Sequence, residues 1–104
     1  MAEPWTERLV NPTARDYTAE DWHTFCEALR ALTVDDAEYD ELSAGILLRI
    51  VRRWAHETGR QFQPSIGAMC ALIRQAGYEV YNMPTRTQSG KTRQRRYVRG
   101  LRLL

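Results

Sequence analysis

The sequence predicts a mainly α chain closed by a small β-hairpin: three helices followed by a two-stranded wing, the plan of a winged helix-turn-helix. Three features carry this prediction. Capped amphipathic segments begin at Thr18, Ser43 and Ser65; Gly77 stops the last of them; and two strand-like runs then flank a polar, basic tract. With 104 residues, 43% of them apolar, the chain has room for one domain around one modest core. That domain is expected over residues 18–104, behind a flexible N-terminal arm of residues 1–17.

The arm contains Pro4, Pro12, a lone Trp5 and no sustained period. Extended chain is expected there, pinned where Trp5 or Leu9 meets an apolar groove. Arg8 and Arg15 stand among Glu3, Glu7 and Asp16 and read as solvated surface. Thr18-Ala-Glu-Asp21 is a capping box: the hydroxyl accepts a free backbone N–H, and the carboxylate sits where the helix dipole favours it. Trp22, Phe25, Cys26, Leu29 and Leu32 follow as one apolar stripe, which predicts a core-covering helix over residues 19–31.

Residues 33–42 are acidic and predict a solvated linker with at most a short helical turn. The carboxylates of residues 35–41 lack the glycine bend and ligand order of a calcium loop. Ser43 caps a second helix, residues 44–57, that ends at Thr58-Gly59. Ile46, Leu47, Ile50, Val51 and Trp54 are its expected buried face. Arg49, Arg52, Arg53 and His56 line the other side as a secondary basic stripe, able either to grip phosphates or to pair with the acidic linker.

Phe62 is the apolar anchor of the connector, and Ser65 after Pro64 caps a third helix over residues 66–76. Met69, Leu72, Ile73 and Ala76 should point inward, leaving Gly67, Ala68, Ala71, Arg74 and Gln75 outside. Small side chains let a backbone approach a groove closely, and Arg and Gln suit guanine and adenine edges. The same small residues could instead pack against the first helix.

Gly77 supplies a left-handed helix cap, and residues 78–83 read as a strand that Pro84 confines to an edge or a strand end. Residues 85–93 are polar, contain Gly90 and carry no acid, as a wing tip facing phosphates requires. Ser89-Gly-Lys-Thr92 shares its residues with the end of a P-loop, but the first glycine is missing at the required spacing and no helix follows, which excludes nucleotide binding of that kind. From Gln94 a strand returns, with Tyr97, Leu101 and Leu103 on one parity and Arg99 marking a bulge or a snorkelling side chain.

Charge is divided along the chain. Residues 1–58 carry six arginines and twelve acids, a net −6, whereas residues 59–104 carry nine cations and only Glu79, a net +8. Such a split predicts a footprint for a polyanion, with DNA as the expected partner; the competing reading is that the two halves pair with each other in the fold. The candidate contacts are Gln63 and Ser65 ahead of the third helix, Arg74 and Gln75 as probes of bases, and Arg86, Lys91, Arg93, Arg95 and Arg96 on phosphates. About four phosphate contacts would give a log–log salt slope of about −3 to −4 on duplex DNA.

Other classes find less support. Cys26 and Cys70 sit singly within apolar faces and read as buried free thiols, and neither they nor His23 and His56 have metal-ligand spacing. No apolar run is long enough for a membrane span, and no signal segment opens the chain, so an intracellular, cytoplasmic protein is expected. No nucleophile stands beside plausible helpers, so neither catalysis nor a cofactor is expected. The competing possibility is a protein-interaction module docking on a replication helicase, a polymerase or a transcription regulator through residues 35–41.

Several of these residues also form a familiar pattern. Trp54 precedes Gly59 and Ser65; Met69 and Ile73 precede Gly77; and Arg95-Arg-Tyr-Val-Arg-Gly-Leu-Arg-Leu103 follows the basic loop. Over residues 42–103 this resembles the C-terminal winged-helix domain of the poxvirus- and phage-type primase–helicases of viruses, plasmids and mobile elements. Leu47 and Val51 stand where that family often has tyrosines, and Met69 where it often has phenylalanine. The 104 residues include no ATPase or primase domain, so the resemblance implies nucleic-acid binding in mobile-element replication, with a helicase or primase as possible partner, and no enzymatic activity.

Overall fold

The structure, a computed structural model, describes residues 17–86 and 92–104, and of residues 85, 86 and 92–94 the backbone alone. The expected arm of residues 1–17, with its Trp5, Leu9, Arg8 and Arg15, lies outside the described residues except for Tyr17, whose side chain is buried in the core. The chain then runs α1 (Ala19–Leu32), β1 (Thr33–Asp36), β2 (Leu42–Ser43), α2 (Ala44–Glu57), α3 (Ile66–Gln75), β3 (Glu79–Arg86) and β4 (Thr92–Leu103).

The three helices start where their caps require. Thr18 Oγ1 accepts the Asp21 N–H at 3.0 Å while Asp21 Oδ2 accepts the Thr18 N–H at 3.0 Å, closing the box on α1. Ser43 Oγ accepts from Ile46 N–H and Ser65 Oγ from Ala68 N–H, so α2 and α3 each satisfy one free donor locally. Gly59 and Gly77 take the left-handed conformation, with φ of 77° and 99°, just past α2 and α3. Backward bonds from Arg60 N–H to Ala55 O and from Tyr78 N–H to Ile73 O then close the last turns.

The expected fold class requires correction. Among the described residues three helices are present, but a four-stranded antiparallel sheet accompanies them, so the domain is mixed α and β instead of mainly α with a two-stranded wing. Strand β4 is the hub and pairs with all three others. Because β2 and β3 both pair with Tyr97 and Val98, they occupy opposite edges of β4. Pro84 lies within β3, which pairs with β4 alone, so its missing N–H costs no ladder bond on an inner strand. The expected loop of residues 85–93 is shorter than its composition implies, since the ladder continues to Thr85↔Arg93 and Arg86↔Thr92.

The segment expected to be an acidic linker supplies β1. Asp35 and Asp36 are poor strand formers, but pairing with Leu101 and Gly100 overrides that propensity. Thr33 is buried and donates from Oγ1 to Leu29 O at 2.7 Å, which binds the start of β1 to the end of α1. On β4, Gly100 has a φ of 100°, which breaks the alternation of side chains. Val98 and Leu101, three residues apart, are therefore both fully buried, while Tyr97 is only half-buried and Leu103 packs at the margin.

One core joins the helices to the inner face of the sheet. Phe25 and Leu29 of α1 meet Leu47 and Val51 of α2, Met69, Leu72 and Ile73 of α3, and Val98 and Leu101 of β4, all essentially without exposure. On α2 the buried face is turned by about one residue from the expected stripe. Ala44, Leu47, Leu48, Val51 and Ala55 are buried, whereas Ile46 is 47% exposed and Ile50 and Trp54 are only partly covered. On α3, Ala68 is buried and not outward-facing, so part of the small-residue face serves packing.

Candidate nucleic-acid interface

Where β2 ends and the chain turns into α2, one edge of β4 loses its partner. Strand β2 covers only Val98 and Tyr97, so Arg96 and Arg95, the next two residues, lie beyond it. A groove of about 570 Å³ opens at that place. Its walls are Arg95 and Arg96 of β4 and Asn82 of β3 on one side, and Ser43, Gly45, Ile46 and Arg49 of α2 with Ile66 of α3 on the other. Three arginines thus converge on a groove that, among the described residues, no carboxylate lines.

The helices reinforce that charge. Both α2 and α3 present their first turns to the groove, and neither has an acidic residue there. The partial positive charge of a helix N-terminus, roughly half a unit at each, is therefore not offset locally. Arg96 is held from behind by its Nη1, which lies 3.7 Å from Sγ of buried Cys70. A thiol is a weak acceptor and leaves the guanidinium charge uncompensated. Among the described residues, neither Arg49 nor Arg95 forms an ion pair.

Four other cations are already matched. Arg99 meets Glu79 across the β3–β4 ladder at 3.2 Å and lies 4.9 Å above the Tyr81 ring. Arg102 meets Asp36 at 3.3 Å across the β1–β4 ladder. Arg60 pairs with Glu27 and caps the Trp54 ring at 5.0 Å, and Arg53 pairs with Glu57 one turn along α2 at 3.1 Å. Only part of the charge split along the sequence is therefore neutralised inside the fold. Tyr81 stacks beside Tyr97 at 6.1 Å and donates its hydroxyl to Asp40 O. Its phenol pKa is raised above the ordinary value, first by loss of hydration and then by the Asp40 carboxylate, with Arg99 opposing.

The sequence-predicted contacts divide into four groups. Arg95 and Arg96 come together with Arg49 of the secondary stripe. Arg74 and Gln75 lie in the last turn of α3, about 12 Å along the helix from Ile66 at 1.5 Å per residue, so the structure does not bring them to the groove. Arg52 donates to Pro64 O at 2.8 Å and, with Gln63, lines a second hollow at the far end of α2, while the Ser65 hydroxyl is engaged as a cap. Lys91 lies outside the described residues, as do the side chains of Arg86 and Arg93.

Sequence reasoning missed Asn82, Ile46 and Ile66 as parts of a site. Ile46 was legible only as one more apolar residue of a helical stripe, and its exposure depends on the rotation of α2 against the sheet. In the acidic segment, Asp35 accepts a hydrogen bond from Tyr78 and Asp36 pairs with Arg102, so two of its carboxylates serve the fold. Cys26 and Cys70 are both buried, and neither is in a disulfide. Among the described residues no His, Cys, Asp and Glu group is arranged to hold a metal ion, and no helix is long and apolar enough to cross a membrane. Comparison with protein-family models, curated proteins and solved structures finds no match for this chain.

Proposed function

We propose that the protein binds DNA through the groove between the first turns of α2 and α3 and the β3–β4 hairpin. The observation that carries this reading is the convergence of Arg49, Arg95 and Arg96 on a groove that no carboxylate of the described residues lines. Guanidinium groups match phosphate geometry with paired donors, and three of them on one concave surface favour a polyanion over a neutral ligand. Asn82, whose side chain borders the same groove, adds an amide that can donate to and accept from a base or a sugar. No catalytic step is assigned to these groups.

The resemblance of residues 42–103 to replication proteins of viruses and mobile elements supports a place in replication, or its control, for a phage or mobile element. A helicase or primase would be the natural neighbour there. Docking of a protein on the acidic segment is the weaker alternative, because Asp35 and Asp36 are committed to Tyr78 and Arg102.

A mobility-shift titration with single- and double-stranded DNA at two salt concentrations tests the proposal. Binding that weakens steeply with salt, and weakens further in Arg49→Gln and Arg96→Gln, is expected. Absence of a shift with either probe at low salt would refute it.

A further inference from the structure

Building on that DNA-binding proposal, we infer that the bound form is a single strand, laid along α2 from the Arg49 groove to the second hollow at the helix's other end. The second hollow has a volume of about 530 Å³ and is lined by Arg52, His56, Arg60, Gln61, Phe62 and Gln63, again with no carboxylate among the described residues. Arg49, Arg52 and His56 follow one another three and four residues apart and so share one side of α2. From the first to the last they span about 10 Å of helix axis. That ridge joins the two hollows into one cationic track.

The track also has an end. Gln61 and Gln63 border a third, smaller hollow whose remaining walls are Glu20 and Asp21 of α1. Negative charge there repels a phosphate chain and stops it after the second hollow. A strand that follows this path meets Arg49, Arg95 and Arg96 at the first groove and Arg52 at the second, where Arg60 is already paired with Glu27, and reaches Glu20 and Asp21 beyond them.

Two properties select an unpaired strand over a duplex. First, the cations lie inside concave hollows of nucleotide scale, whereas the bases of a duplex are read by elements that protrude into its grooves. Second, Ile46 and Ile66, 47% and 42% exposed, stand beside the arginines of the first groove. An apolar side chain next to guanidinium groups gains nothing from hydrated phosphates, but it can cover the face of a base. Base faces are available only when the strand is unstacked and unpaired.

Fluorescence anisotropy with a labelled oligo-dT of about 12 nucleotides, an oligo-dT of about 5 nucleotides and a duplex of about 12 base pairs tests the inference at two salt concentrations. The longer single strand should bind at least about tenfold more tightly than the duplex. Ile46→Gln and Ile66→Gln should each weaken it about fivefold with an unchanged salt slope, because the lost contact is apolar. His56→Glu should weaken the longer oligonucleotide and spare the shorter one, since only the longer reaches the second hollow. Duplex binding as tight as single-strand binding, or isoleucine variants that bind normally, would overturn the inference and leave DNA binding standing. Failure to bind any of the three probes would overturn both. Circular dichroism of each variant separates a lost contact from a lost fold.

Discussion

The Tyr78 ring lies directly over Gly100: a side-chain carbon at Gly100 would sit 3.3 Å from Tyr78 Cδ1. The same tyrosine donates its hydroxyl to Asp35, so one residue just past α3 touches both β4 and β1. Gly100 has a φ of 100°, which a side chain tolerates poorly, and its N–H is bound to Tyr39 O at 2.9 Å. Gly100→Ala should therefore destabilise the domain by about 1–3 kcal/mol, from backbone strain together with displacement of the ring. Urea denaturation followed by circular dichroism measures it. Tyr78→Phe keeps the ring and loses the bond to Asp35, and should cost only about 0.5–1.5 kcal/mol.

Two adjacent residues of α2 test its orientation. Leu47 is completely buried and Ile46 is 47% exposed. Leu47→Ala should lower unfolding free energy by about 2–5 kcal/mol, from lost burial and the cavity left behind. Ile46→Ala should change it by no more than about 0.5–1 kcal/mol. Equal losses in a thermal or chemical melt would mean that α2 presents a different face to the sheet.

Paired and unpaired arginines should behave differently toward DNA. Arg99 and Arg102 are matched by Glu79 and Asp36 and lie away from the groove lining, so Arg99→Gln and Arg102→Gln should leave affinity within about twofold. Arg49→Gln and Arg95→Gln should each weaken binding about tenfold and lower the magnitude of the log–log salt slope by about 0.7 on a single strand. A filter-binding series at four salt concentrations separates the two groups. Uniform losses across all four variants would argue for diffuse attraction by net charge instead of a groove.

The α1 capping box predicts a local effect on stability. Thr18→Ala removes the acceptor for Asp21 N–H while keeping the backbone N–H that Asp21 accepts, and should cost about 1 kcal/mol. Thr18→Ser should recover most of it, because the hydroxyl remains. DNA affinity should be unchanged in both, since Thr18 does not line the arginine groove.

Local chemistry made much of this domain readable from its residues. Thr18, Ser43 and Ser65 mark the helix starts, and Gly59 and Gly77 mark the stops, because capping and left-handed turns depend on a residue and its near neighbours. The strand after Gly77 and its basic return were legible for the same reason, as were the buried thiols. Strand β1 was not: Asp35 and Asp36 have the composition of a linker, and only long-range pairing with β4 makes them extended. Nor was the groove, since Arg49 and Arg95 lie 46 positions apart along the chain. Which charges stay free and which are cancelled, as Arg102 is by Asp36, depends on the register of β4 and the rotation of α2. Both follow from packing the whole core at once, a condition that no local pattern contains.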